Sequence, residues 1–360
     1  MNPSRPEARD ATLDNLKGLL IISVVYVHLY DMLGQRTPLL YAIRLTILAV
    51  QMPLFLFLSG YFGKHVEKRR SAALSDYLIP FLVFNTLYYL ARVQQTPELR
   101  YGLLRPLNMY WFLLTLLFIR ILMPELVRIR WVLPLSFVLA LGIGLDDFFG
   151  RTLSLSRTFC FLPFYLMGYY CSRTQMERVR RVPVPVALLT GALGSFLTLC
   201  LTDVLAPDKD SSHPFQLVNS YATQGLTPAE GIAFRLGLYV IAPLLGVLLL
   251  RLCPSRTGLL TRIGCGSMTV YLLHAFPMLA MVGNWDALCA LFVRLVPALA
   301  GVSYPGRLAG GVPQLLALAL YACAVSWILS SGPLVRAYDA ALAWVRRRLF
   351  VPADEHAGVK

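Results

Sequence analysis

Residues Leu16 to Leu33 read LKGLLIISVVYVHLYDML, an apolar run broken by one cation near its start, Lys17, and one imidazole beyond its middle, His28. A run of this kind has the length and composition of a membrane-crossing helix, which takes about 20 apolar residues. Lys17 and His28 stand eleven residues apart. At about 100° per residue that is three turns plus roughly 20°, so both lie on one face, roughly 16 Å apart along the axis. A titratable group inside a bilayer costs several kcal/mol, so an intramembrane histidine points by default to a cavity in which it functions.

The rest of the chain repeats the apolar pattern. Of 360 residues, 57% are hydrophobic and 14% charged, which excludes a soluble globular class. The fold class expected is all-α, a polytopic transmembrane helical bundle. At about 20 residues per crossing, spans are predicted near 16–33, 39–62, 77–91, 110–123, 131–145, 158–171, 184–205, 232–250, 263–282 and 312–330, about ten in all. The segment 287–299 is expected to lie flat or half-inserted. With the N-terminus inside, most of the 33 Lys and Arg fall on the cytoplasmic side, among them Arg5, Arg9, Lys17, Lys64, Lys68, Arg69, Arg70, Arg173, Arg180, Arg256, Arg262, Arg346 and Lys360. That asymmetry predicts both termini cytoplasmic. The organisation is then a cytoplasmic arm over 1–15, a transmembrane domain over 16–332 and a basic cytoplasmic tail over 333–360. The net charge of +14 reads as a topology signal with attraction to anionic membrane lipids, and no nucleic-acid partner is needed to explain it.

The first span lacks a small-x-small cleavage site after His28 and is expected to stay as a signal anchor. Seven cysteines, Cys160, Cys171, Cys200, Cys253, Cys265, Cys289 and Cys323, show no CxxC spacing and read as small apolar residues rather than a disulfide or metal framework. No metal site is expected. The outer stretch 202–230, with Pro207, His213, Pro214, Gly225 and Pro228, is either a binding element or disordered.

Of the five histidines, His65, His213 and His356 fall in loops or the tail and read as solvated. His28 lies about twelve residues from the cytoplasmic end of its span and His274 about eleven from the end of the ninth, which places them at similar depth. Two imidazoles at one level suggest a shared polar cavity. The competing reading is that each hydrogen-bonds across a helix interface. Imidazole accepts and returns a proton near neutral pH, and it also attacks thioesters itself to carry an acyl group. Asp31, three residues past His28, is a candidate orienting partner. Lys17, Arg69 and Arg70 suit the phosphates of a nucleotide-like donor, although cations at the inner ends of spans also serve as topology anchors. Ser59-Gly60-Tyr61 reads first as a site of close helix packing. Trp111, Arg157 and Glu230, at outer ends of spans, are candidate contacts for an acceptor, against membrane anchoring for the aromatic group and solvation for the charges.

Several blocks together resemble a known family. Arg9…Leu13-Asp14-Asn15-Leu16-Lys17-Gly18…His28, Met52-Pro53-Leu54-Phe55-Leu56-Phe57-Leu58-Ser59-Gly60-Tyr61, Trp111-Phe112-Leu113, Phe161-Leu162-Pro163-Phe164-Tyr165-Leu166-Met167-Gly168-Tyr169-Tyr170 and Tyr271-Leu272-Leu273-His274 look like acyltransferase family 3, closest in flavour to its fucose 4-O-acetylase and glucan-modifying branch. The resemblance implies an O-acyltransferase that moves an acyl group, most commonly acetyl, from cytoplasmic acyl-CoA to a hydroxyl of a glycan presented on the other face. It places the chain in a bacterial cytoplasmic membrane, with acyl-CoA as donor substrate and no permanently bound cofactor. The family's pairing of a basic residue with an essential histidine maps onto Lys17 and His28, and its late-span histidine onto His274. Lysine stands here where many members carry arginine, leaving a point charge in place of a bidentate contact. The runner-up is a transporter or flippase with His28 and His274 in its pathway. Acyl group, acceptor, choice between direct transfer and an acyl-histidine, and oligomeric state stay open at the level of sequence.

Overall fold

The computed structural model describes residues 10–33, 38–94, 96–150, 152–205, 214–282, 284, 303–304, 307–308 and 312–350. Expectations for Arg5, Arg9, Pro207, His213, Cys289, His356, Lys360 and the segment 287–299 concern positions outside these. Helices dominate: α1 (Ala11–Leu33), α2 (Pro38–Tyr61), α3 (Val66–Ser71), α4 (Ile79–Arg92), α5 (Trp111–Leu126), α6 (Val132–Gly142), α7 (Leu155–Tyr170), α8 (Arg173–Arg180), α9 (Val184–Leu205), α10 (Pro228–Leu252), α11 (Leu259–Cys265), α12 (Ser267–Leu273), α13 (Ala275–Val282), α14 (Val312–Leu329) and α15 (Gly332–Leu349). Among the described residues the only strands are Ser303–Tyr304 and Arg307–Leu308, paired antiparallel.

The predicted segments coincide with helices, with two local differences. A π-helical turn, Leu74–Leu78, precedes α4, and the segment 263–282 is split into α11, α12 and α13. Among the described residues five helices are long and apolar enough to cross a membrane: α1, α2, α5 with the turn before it, α9 and α10. The chain of α14 and α15, bent by 54°, makes a sixth if it is one span. The residues expected as a basic tail are therefore helical as far as Leu349.

The chain divides into two compact units. The first comprises Met1–Leu58, Cys171–Val204 and Gly237–Ser330, and α1 runs through its core. Asp10 caps α1 by accepting from the backbone N–H of Thr12 at 3.1 Å, which satisfies one of the donors that a helix start leaves unpaired. The same carboxylate takes Arg180 of α8 at 2.8 Å. Asn15 donates to the carbonyls of Pro254 and Arg256 and accepts from Thr261, which fastens the segment after α10 to α1. Above that clamp α1 and α11 meet backbone to backbone. A Cβ on Gly18 would overlap the Leu260 carbonyl, and one on Gly264 would overlap the Asp14 carbonyl, so only glycine permits the crossing.

The second unit comprises Ser59–Tyr170, Leu205–Leu236 and Ser331–Lys360. Here α5 is buried along nearly its whole length and packs on α7, while α6 also lies against α7. Gly60 brings the end of α2 onto α7, where a Cβ would strike the Tyr165 carbonyl, in keeping with the packing reading of Ser59-Gly60-Tyr61. Residues 214–221 of the stretch expected on the outer side pack into the core of this unit. Phe215, Leu217, Val218 and Tyr221 are buried, and the Tyr221 hydroxyl donates to the Leu141 carbonyl at 2.8 Å.

Candidate active site

His274 occupies the junction between α12 and α13. The break has a local cause: Pro277 has no N–H to give the Leu273 carbonyl, and its ring crowds that carbonyl. The imidazole is fully buried, at 0% exposure, and its Nδ1 lies 2.8 Å from the Tyr271 carbonyl and 3.1 Å from that of Val270. A carbonyl oxygen only accepts, so Nδ1 carries the proton and Nε2 is left with a lone pair. That Nε2 is buried with no hydrogen-bond partner among the described residues. The backbone thus fixes the tautomer and the direction in which the basic nitrogen points.

The His28 ring faces it from α1. The ring centroids are 5.5 Å apart with 35° between the planes, and His28 is half-buried. The pair read from depth alone is therefore a contact within one unit. α1 is held in place by the glycine crossing with α11 and by packing against α12, α13 and α14. Neither ring sits on a free loop, and this suits a centre that must hold its geometry to a fraction of an ångström.

The other candidates are placed as follows. Lys17, two residues beyond Asn15, pairs with the buried carboxylate of Asp14 at 2.6 Å. Asp31 pairs with the buried Arg44 of α2, Oδ1 to Nε at 2.5 Å, and the Arg44 guanidinium lies 5.6 Å from the Tyr30 ring centroid. That ion pair ties α1 to α2. Arg69 and Arg70 are exposed on α3 in the second unit, and Arg69 donates to the Phe62 carbonyl at 3.3 Å. Trp111 and Arg157, singled out separately in the sequence, stack directly, with the guanidinium 4.6 Å from the indole centroid. Trp111 also stacks on Phe161, and Arg157 donates to the Gln216 carbonyl at 2.8 Å. Glu230 accepts from the N–H and hydroxyl of Thr227 and donates its own N–H to that hydroxyl, a capping box that starts α10.

Sequence reasoning gave no role to Arg120, Tyr165, Arg235 or Tyr221. Arg235 is buried on α10, donates to the Ala140 carbonyl at 2.5 Å and stacks 4.6 Å from the Tyr221 ring centroid. The signal was present, because an arginine inside an apolar span is rare and marks function by default.

Apolar helices of crossing length define an integral membrane protein, and within it a buried His274 whose tautomer the backbone fixes faces a half-buried His28. The family model for the acyltransferase domain, acyltransferase family 3, matches residues 10–331, most of the chain, and the protein belongs to that family. It is a membrane acyltransferase. No curated protein and no solved structure matches the chain.

Proposed function

We propose that the protein is an O-acyltransferase that moves an acyl group, acetyl in the first instance, from cytoplasmic acyl-CoA to a hydroxyl of a glycan or related acceptor on the outer side of a bacterial cytoplasmic membrane. The observation that carries this reading, within a family of acyltransferases, is the facing pair His28 and His274. With Nδ1 of His274 committed to carbonyls, its buried Nε2 lone pair can take an N–H of His28 in the reaction, a contact that forms during catalysis and is not made in the resting structure. In this reading the second nitrogen of His28 takes the proton of the acceptor hydroxyl. The oxygen then forms a bond to the thioester carbonyl carbon, the C–S bond breaks, and the departing thiolate of CoA recovers the proton from His28. His28 is the catalytic base and His274 its positioning residue.

The reading assigns Lys17, Arg69 and Arg70 to the phosphates of CoA and the stacked pair Trp111 and Arg157 to the acceptor, since an indole face suits a sugar ring. The reading takes about ten crossings with both termini inside, so that donor and acceptor groups meet from opposite faces, an orientation that the bias of basic residues favours. The test is to incubate membranes carrying the wild type or His28→Ala with labelled acetyl-CoA, with and without a crude glycan extract. Glycan-dependent label and CoA release that vanish in a well-inserted His28→Ala protein are the expected result. Undiminished transfer by His28→Ala would overturn the assignment of the base, and transport of a polar solute without CoA turnover would overturn the reading as a whole.

A further inference from the structure

Three arginines are buried within apolar helices, Arg44, Arg120 and Arg235, and they differ in what neutralises them. Arg44 has a carboxylate. Arg120, on α5, is 4% exposed and has none. Its Nη2 donates to the Ser59 carbonyl at 3.3 Å and its guanidinium lies 5.7 Å from the Tyr165 ring centroid, while Nε and Nη1 reach no acceptor among the described residues. The Tyr165 hydroxyl, on a side chain that is itself wholly buried, is likewise without a partner there. Three unsatisfied donors therefore collect around one guanidinium. Burying an unpaired ion carries a penalty of several kcal/mol, which proteins offset with an opposite charge and hydrogen bonds to it.

The surroundings supply a second cation and a close wall. The turn after α2 passes so near that a Cβ on Gly63 would meet the Tyr165 hydroxyl. Arg69 reaches back onto that turn at the Phe62 carbonyl, and its helix α3 packs on α5. All these residues belong to the second unit. Planar guanidinium forks with a phenol beside them match an oxyanion with several acceptor atoms, and two cations suit a group of more than one negative charge.

We propose that Arg120 and Tyr165, with Arg69, form a buried anion site that takes a phosphoryl group of the acyl donor. This rests on the acyl-CoA reading given above and adds to it two residues, on α5 and α7, that hold phosphate by direct contact. The site lies where positive-inside topology puts the inner ends of α2, α5 and α7, the side on which acyl-CoA is made.

The test measures binding to the purified full-length protein in nanodiscs, with CoA, pantetheine, inorganic pyrophosphate and dihexanoyl-phosphatidylglycerol as probes. For folded Arg120→Gln, CoA and pyrophosphate affinity should fall on the order of 10- to 100-fold, the loss expected of hydrogen bonds to a charged group, with pantetheine affinity unchanged. Tyr165→Phe, which removes one hydroxyl and no volume, should weaken CoA roughly 3- to 10-fold, and it carries the test alone if Arg120→Gln does not fold. Wild-type affinity for CoA in these variants overturns the site and leaves the acyl-CoA reading standing. Pyrophosphate binding that depends on Arg120, in a wild type that ignores CoA, overturns the donor and keeps the anion site. Displacement of CoA by the lipid but not by pyrophosphate assigns the pocket to a lipid headgroup and overturns the proposal.

Discussion

The two units handle buried charge in opposite ways. In the first, Asp14 and Arg44 are buried and each meets its opposite, Lys17 and Asp31 respectively, and in the proposed reading His28 and His274 do the acid and base work there. In the second, Arg120 and Arg235 are buried against carbonyl oxygens and aromatic rings, with no carboxylate among their contacts in the described residues. The Arg44–Asp31 pair, neutralised by its own chain, ties α1 to α2. A guanidinium left charged in an apolar setting is a place for a ligand anion. On the proposed reading, the proton chemistry falls to the first unit and the buried anion site to the second.

The largest expected effect bears on the first half of that contrast. His274→Asn keeps an amide donor where Nδ1 meets the Tyr271 and Val270 carbonyls but removes Nε2. Transfer should fall about 100-fold or more, at the scale of a lost general-base contact, with the melting temperature of the purified protein unchanged. Full activity in this variant would show that the Nε2 lone pair does nothing. Next is Gly264→Leu, which forces a side chain into the Asp14 carbonyl. Overpacking of this kind costs about 1–3 kcal/mol or more, so yield and melting temperature should drop, while Gly258→Ala, where nothing lies within 4 Å of the added Cβ, should leave both untouched.

The tie between α1 and α2 is the next target. Asp31→Ala strands the Arg44 guanidinium, and because Asp31 is itself partly exposed the loss should be about 1–3 kcal/mol, below the figure for a fully buried pair. If thermal unfolding is unaffected but transfer collapses, Asp31 serves His28 rather than Arg44. The smallest effect is expected of Glu230→Ala, which removes one side of a capping box worth about 1 kcal/mol. Transfer kinetics at saturating acceptor should stay within a factor of about two of wild type, given that stabilising contribution. A rise in KM for the acceptor without loss of stability would instead make Glu230 a substrate contact.

Much of this was legible in the chain. Apolar runs gave the helix positions because each helix needs its own length of hydrophobic residues, and counting rise per residue put His28 and His274 at one depth. The Thr227-x-x-Glu230 box is equally readable as the start of α10, yet from sequence Glu230 stands only between an acceptor contact and a solvated charge. Other features need tertiary structure. Sequence spacing offers the Asp31 carboxylate only His28, and its pairing with Arg44 depends on how α1 lies against α2. The glycine crossing joins Gly18 to a segment some 240 positions later, and no local pattern announces it. The isolation of Arg120 is a statement about which carboxylates are not nearby, which spacing along one chain does not contain.

The central claim is that His28 and His274 act as one unit in acyl transfer from CoA, and a double-mutant cycle tests it most directly. Single-turnover transfer from labelled acetyl-CoA would be measured for wild type, His28→Ala, His274→Ala and the double variant in proteoliposomes. The account predicts that the double variant is no slower than His28→Ala, because a positioning residue has nothing left to position once the base is gone. Losses that multiply across the two sites, or a His28→Ala protein that still transfers at the wild-type rate, would contradict it.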